Sequence, residues 1–158
     1  MTILHQIKLE PVDQQNRLQY LDYLLLADES EIAVNTYIND GDLFSIRFED
    51  EMIGVALFTY HSEQVVELKN IALDPKHRGK GLGKLVVTKA FSFYKRKGIK
   101  KIIVGTANSS IGNLAFYQKL GFRMFEIKKD FFKDYPEPIF ENGIRALDMV
   151  MFEKILDE

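Results

Sequence analysis

Cysteine is absent from the sequence, which excludes disulfides, thiolate zinc sites, iron–sulfur clusters and a cysteine nucleophile. Histidine is scarce: His5, His61 and His77 are scattered and lack the i,i+3 or i,i+4 spacing that puts two imidazoles on one helical face, so no metal is expected. Neither sign of charge dominates, with 21 Lys+Arg against 23 Asp+Glu and a formal net charge of −2. That balance argues against nucleic acid or a lipid surface as a partner, and a polyanionic ligand has to be held locally. No apolar run approaches the ~18 residues of a membrane span. The stretch from Met1 to Arg17 has no basic segment followed by an apolar core and a small-residue cleavage site. A soluble, cytoplasmic protein is the expectation. Repeats and low-complexity tracts are missing too, and a length of 158 residues makes one domain over 1–158 the default.

What is present is an ordered succession of strand and helix patterns. Ile3 to Leu9 reads as a strand, Gln14 to Leu26 as a helix with Leu18, Leu21, Tyr23 and Leu24 to Leu26 on a broad apolar face, and Ser30 to Ile38 as a second helix. After the turn cluster Asn39 to Asp42, Leu43 to Phe48 and Met52 to Tyr60 read as a hairpin joined by Glu49-Asp50-Glu51. Val65 to Leu73 is the next strand, closed by Asp74-Pro75, since proline has no amide hydrogen to continue a ladder. From Leu82 onward, Leu85, Val86, Ala90, Phe93 and Tyr94 mark a helix that ends in Lys95-Arg96-Lys97-Gly98. A strand over Lys101 to Thr106, a helix over Ile111 to Leu120, and strands over Arg123 to Lys129 and Ile144 to Phe152 complete the chain. The strand, helix, strand unit across 65–106 implies a parallel pair inside an otherwise antiparallel sheet. The fold class is therefore mixed α/β, one sheet with helices on both faces.

Gly79, Gly81 and Gly83 stand at alternate positions where that strand hands over to the helix. Glycine permits φ > 0 and removes the Cβ that would block close approach, so successive N–H groups can converge on one point beside the unpaired amides of the helix start. Such a turn is an anion site, most naturally for phosphate, and Arg78, Lys80 and Lys84 add local positive charge. The interval is wrong for a P-loop, and Lys84 is followed by Leu85 where a magnesium-binding hydroxyl would stand. A dinucleotide fold would carry its glycines after the first strand, with an acidic residue further on for the ribose.

The run Arg78-Gly79-Lys80-Gly81-Leu82-Gly83 resembles the Q/R-x-x-G-x-G/A signature of the GNAT N-acetyltransferase superfamily, whose loop binds the pyrophosphate of acetyl-coenzyme A. Asn70 to Pro75 is similar to that family's fourth strand, and Asn113 to Phe122 to its later helix with a Tyr-x-x-x-Gly-Phe ending. The resemblance implies a single GNAT-like domain, a mostly antiparallel sheet of six to seven strands with a central, splayed parallel pair. It implies acetyl-coenzyme A as cosubstrate, an amine acceptor and direct transfer in a ternary complex. A coenzyme A-binding sensor without productive chemistry is the alternative. On the residues, it implies cofactor contacts from Ile71, Ala72 and Leu73, with the main-chain groups of Ile71 and Leu73 offered to the ligand, a pyrophosphate site over Arg78, Gly79, Lys80, Gly81, Leu82, Gly83 and Lys84, and Tyr117 as general acid near the sulfur. The chemistry is reasonable, since a phenol of pKa about 10 lies near a thiol of about 8.5. Ser110 stands where the family often has asparagine, with Asn108 or Asn113 as substitutes.

An alkylammonium of pKa about 10.4 is neutral only about once in 2,500 molecules at pH 7, a penalty of roughly 4.6 kcal/mol. Glu67 is the candidate base, and period-2 alternation places Glu67, Lys69, Ile71 and Leu73 on one face; the alternative is a solvent-facing carboxylate. The basic run Lys95 to Lys97 with Lys100 and Lys101 reads as a favourable helix C-terminus. Asp134, Tyr135, Glu137 and Glu141, in the aromatic and proline-containing connection 131–143, either line the acceptor pocket, cap the core or meet a second copy in a homodimer. Asp28, Glu29 and Glu31 are further candidates for holding a cationic amine.

Overall fold

The computed structural model describes residues 6–28 and 30–156. The chain opens with β1 (Ile7–Pro11), and residues 3–5 of the expected first strand lie outside the described residues. The first expected helix divides into a 3-10 segment, Gln14–Tyr20, and α1 (Leu21–Ala27), followed by α2 (Glu31–Tyr37). Ser30 caps α2, its hydroxyl accepting the Ala33 amide hydrogen at 3.1 Å. Arg17, buried in the 3-10 segment, donates to the carbonyls of Ile38, Asp40 and Gly41 at 3.1, 2.7 and 2.8 Å. One guanidinium thus satisfies the end of α2 and the turn after it.

β2 (Asp42–Phe48) and β3 (Glu51–Tyr60) form the expected hairpin. Glu49 and Asp50 at its tip both have positive φ, 53° and 67°, which suits a tight connection between twisted strands. After β4 (Val65–Leu73) come a 3-10 turn, Pro75–His77, α3 (Leu82–Arg96), β5 (Lys101–Ala107), α4 (Ile111–Lys119) and β6 (Arg123–Lys128). The expected last strand over 144–152 is a misreading of the chain. Ile144–Arg145 (β8) pairs instead with Phe140–Glu141 (β7) in a small hairpin, and the sheet strand is β9 (Met149–Ile155). The intervening residues 146–148 belong to neither: the Ala146 amide bonds Ile139, and those of Leu147 and Asp148 bond the Asn108 side chain.

Seven strands make one sheet in the order β1-β2-β3-β4-β5-β9-β6, antiparallel except for β4 and β5. One face packs on α3 around Phe44, Phe58, Val86, Ala90, Tyr94, Tyr117 and Phe152. The other packs on α1 and α2 around Leu24, Val34, Tyr37, Val55, Leu57 and Ala72. Along α3, Leu82, Val86, Ala90 and Tyr94 are buried at successive four-residue intervals, the core stripe of an amphipathic helix.

Two irregularities in β4 shape the site. The parallel pairing stops after Val65↔Lys101, Val66↔Ile102 and Glu67↔Ile103; beyond it β4 stays with β3, β5 stays with β9, and a gap opens between them. The β3–β4 register also shifts, Phe58 facing Leu68 and Leu57 facing Asn70, so Lys69 is an extra residue in a bulge. Val66 and Leu68 lie on the α3 side before the bulge, and Ile71 and Leu73 on that side after it. Asn70 and Ala72 face α1 and α2. The bulge therefore overturns the expected alternation, because one inserted residue reverses the faces that follow. Glu67, opposite in sense to Val66 and Leu68, shares the Asn70 and Ala72 side, not that of Ile71 and Leu73.

Candidate active site

The gap between β4 and β5 is the floor of a groove of about 1150 Å³. Its lining runs from the glycine turn, through Ile71, Leu73, Gly105, Thr106 and Tyr117, to Asp28, Tyr37 and Glu67 on the far side. Asp74 donates its amide hydrogen to the Ile53 carbonyl on β3 at 2.8 Å. By the alternation of an antiparallel ladder, Ala72 also turns its main chain toward β3, whereas Ile71 and Leu73 turn theirs into the gap. Ala72 lines the groove with its amide turned away from it, which leaves the main-chain contacts to Ile71 and Leu73, as expected. The Leu73 carbonyl is already taken by Arg78, whose Nε donates to it at 3.2 Å, leaving Leu73 its N–H.

The glycine turn shows two different uses of the residue. Gly79 and Gly81 each have φ +76°, the left-handed region where a side chain adds strain. Gly81 is the residue at which α3 begins. Gly83 lies inside the helix with no such φ, and a Cβ there would meet Phe116 only at 3.5 Å, an ordinary contact. No clash forbids a side chain at 83, and a Cβ there would touch Phe116 and Leu73, both of which line the groove. Arg78, Gly79, Gly81, Leu82, Gly83 and Lys84 line the groove. Lys80 instead borders a separate hollow of about 280 Å³ with Glu51 and His77.

Tyr117 is buried on α4, its ring packed 5.5 Å from Phe122 and 6.0 Å from Phe152. Burial pushes its hydroxyl up to about 12, and no hydrogen bond to that hydroxyl forms among the described residues. Burial thus moves this phenol away from the match to a thiol expected of an ordinary one. Ser110 and Asn113 line the groove, and Asn113 donates to the Thr106 hydroxyl at 3.4 Å. Asn108 does not: its side chain accepts from Leu147 and Asp148 at 2.8 and 3.0 Å and donates to the Arg145 carbonyl at 3.1 Å. It is a structural clasp on the 145–148 segment, and the expectation that it contacts a ligand is corrected.

On the far side, Asn70 donates to the Leu24 carbonyl and the Tyr37 hydroxyl, both at 2.9 Å, and Tyr37 donates to Asp28 at 2.9 Å. Both Asn70 donors are used, and its Oδ1 is buried without a partner. Burial, chiefly, also raises the Tyr37 hydroxyl, so it remains a donor. Sequence reasoning missed this network because no spacing links residues 28, 37 and 70. Glu67 is mostly buried and lies 2.7 Å from His61 Nε2. Of the acceptor-side candidates, Asp28, Tyr135 and Glu141 line the groove, and Glu141 accepts from Ser109 at 3.1 Å. Glu31, Asp134 and Glu137 are exposed and outside it, and Glu29 lies outside the described residues.

The family model for acetyltransferases of the GNAT family matches residues 8–122. The chain belongs to the GNAT acetyltransferase family. Among GNAT proteins, the uncharacterized N-acetyltransferase YvbK of Bacillus subtilis is 40% identical over 148 residues, 93% of this chain and 95% of its own. A GNAT family acetyltransferase from Elizabethkingia anophelis, solved with acetyl-CoA bound, superposes with a TM-score of 0.88 at 38% identity, covering 96% of this chain and 99% of that one. A Bacillus subtilis acetyltransferase in complex with CoA superposes at 0.84 and 39% identity, covering 96% and 98%. Among the described residues of this GNAT chain, no helix is long and apolar enough to cross a membrane.

Proposed function

We propose that this chain, as one domain over 1–158, transfers the acetyl group of acetyl-coenzyme A directly to an amine in a ternary complex. The observation that carries the reading is one continuous groove that joins the glycine turn, the unpaired main chain of β4 and Tyr117. The turn at Gly79 and Gly81, where a Cβ would meet nothing of the protein, and the unpaired amides at the start of α3 fit a diphosphate. Arg78 and Lys84 add charge there. The N–H groups of Ile71 and Leu73 can bond an extended amide-bearing arm as a neighbouring strand would, and the Ile71 N–H is placed to polarise a carbonyl. Solved relatives holding acetyl-CoA and CoA support the same ligand.

With no cysteine to carry an acetyl group, attack by the amine on the thioester carbon is direct. Of the three ammonium protons, one passes to Glu67 and on to water, one ends on the departing sulfur, and one stays on the amide nitrogen. Tyr117 donates a hydrogen bond to the sulfur as the C–S bond breaks, hands over its proton and regains one from the nitrogen. The test is thiol release from acetyl-coenzyme A with a panel of spermidine, tyramine, glucosamine 6-phosphate and an alanine-terminated peptide. Turnover with one of them is expected, and tight binding of coenzyme A with no thiol released by any would favour a sensor.

A further inference from the structure

The side chain of Glu67 presents its two oxygens to different surroundings. Oε1 lies 2.7 Å from His61 Nε2. Oε2 faces Lys69 at 3.9 Å, close enough for attraction but beyond hydrogen-bond range. Lys69 and Glu67 line the groove and His61 does not. The imidazole is half-exposed, whereas the carboxylate is 13% exposed. We infer that His61 is a positioning residue for the acetyl transfer: its Nε2–H holds Oε1, and Oε2, which accepts no hydrogen bond, is the atom that takes the amine proton.

This rests on Glu67 acting as the base. His61 follows β3 and sits one diagonal step from Glu67, on the side away from the gap between the strands: Tyr60 pairs with Val66, and the His61 amide bonds the Val65 carbonyl at 2.9 Å. The other groups near the pair have further partners, and Lys69 also faces Oε2 at 3.9 Å. Lys69 lies 5.5 Å over the Tyr37 ring, Tyr37 is bonded to Asp28, and Lys101 on the adjoining strand pairs with Glu153 at 3.3 Å. A neutral imidazole serves when Nε2 carries the hydrogen and Nδ1 faces water, and an imidazolium holds the carboxylate more tightly. In the proton step the ammonium N–H bond breaks, an O–H bond forms at Oε2, and the electron pair remains on nitrogen for attack.

The experiment compares H61L, H61Q and E67Q with the parent protein, using acetyl-coenzyme A and the most active amine of the panel above. H61L is expected to lower kcat about 10-fold, part of the 10²–10⁴ that a general base contributes. It should leave KM for acetyl-coenzyme A unchanged. H61Q, which keeps an N–H donor, should recover most of the loss. A second reading needs no turnover: the imidazole carbon-13 shifts of His61 should report the Nε2–H tautomer in the parent and lose that bias in E67Q. H61L with parental kcat, beside an impaired E67Q, would overturn the positioning role and leave the base intact. An unimpaired E67Q would overturn both.

Discussion

Tyr117 shows how a single side chain acquires its chemistry from its surroundings. An ordinary phenol would lose its proton near pH 10, but burial among Phe116, Phe122 and Phe152 moves that point to about 12. The hydroxyl is then a hydrogen-bond donor throughout the neutral range. Y117F should lower kcat by about 10- to 100-fold, the lower part of the range for general acids. KM for acetyl-coenzyme A should change little, because the ring packing persists; steady-state kinetics in a chemistry-limited reaction checks both. The basic limb of the parental profile should not fall below pH 10 on account of this group.

At the scale of elements, the start of α3 separates glycines with positive φ, Gly79 and Gly81, from Gly83, which has none. G83A replaces a first-turn glycine of α3 without a clash, so stability should stay level or rise by up to about 1 kcal/mol. The same change should weaken coenzyme A binding at least 10-fold, since its Cβ projects at the groove wall. Denaturant unfolding and titration calorimetry on one variant read the two effects separately, and unchanged affinity would remove the loop from the site. Gly54 has the opposite logic. A Cβ there collides with the Ala72 carbonyl oxygen, backbone that cannot swing aside as a side chain can. G54A should cost about 3 kcal/mol or more, seen as a lowered urea midpoint.

The same contrast explains which parts of the site were readable. Gly79, Gly81 and Gly83 announce themselves because positive φ and open backbone are local demands that few residues other than glycine meet. The face of Glu67 was not readable, because the Lys69 bulge exists only in the pairing of β4 with β3. The role of Asn108 was hidden for a similar reason: its partners, 145–148, are remote in sequence and irregular in structure. The segment over 144–152 has strand-like composition throughout, and it is the bonds to Ile139 and Asn108 that divide it.

Across the whole molecule, tyrosines join separate elements and set a limit at high pH. Tyr94 on α3 and Tyr60 on β3 both donate to Asp42 at 2.7 Å, and Tyr37 ties α2 to β4 through Asn70. Burial first, then the neighbouring carboxylate, pushes Tyr60 up to about 12 and Tyr94 higher still. Each folded-state value lies above the unfolded value near 10, so the protonated form is favoured by folding. The contribution is complete below pH 10 and is lost as pH rises through 12. Urea unfolding should give a level midpoint from pH 8 to 9.5 and a falling one above pH 10, and a flat response to pH 11 would contradict it. Coenzyme A at 100 times its Kd should raise the unfolding free energy by about 2.7 kcal/mol, with or without turnover.

Chain-local chemistry by itself determined the order of strands and helices as far as β6, the glycine turn before α3, the lack of a cysteine route and the tyrosine on α4. Each follows from residue types and spacings within a few positions of one another. Only the tertiary structure decided where β4 and β5 part, which main-chain groups are left unpaired there, and that His61 meets Glu67. Those depend on register between strands and on contacts between distant segments, and a one-residue slip in the ladder exchanges the groove face for the core face.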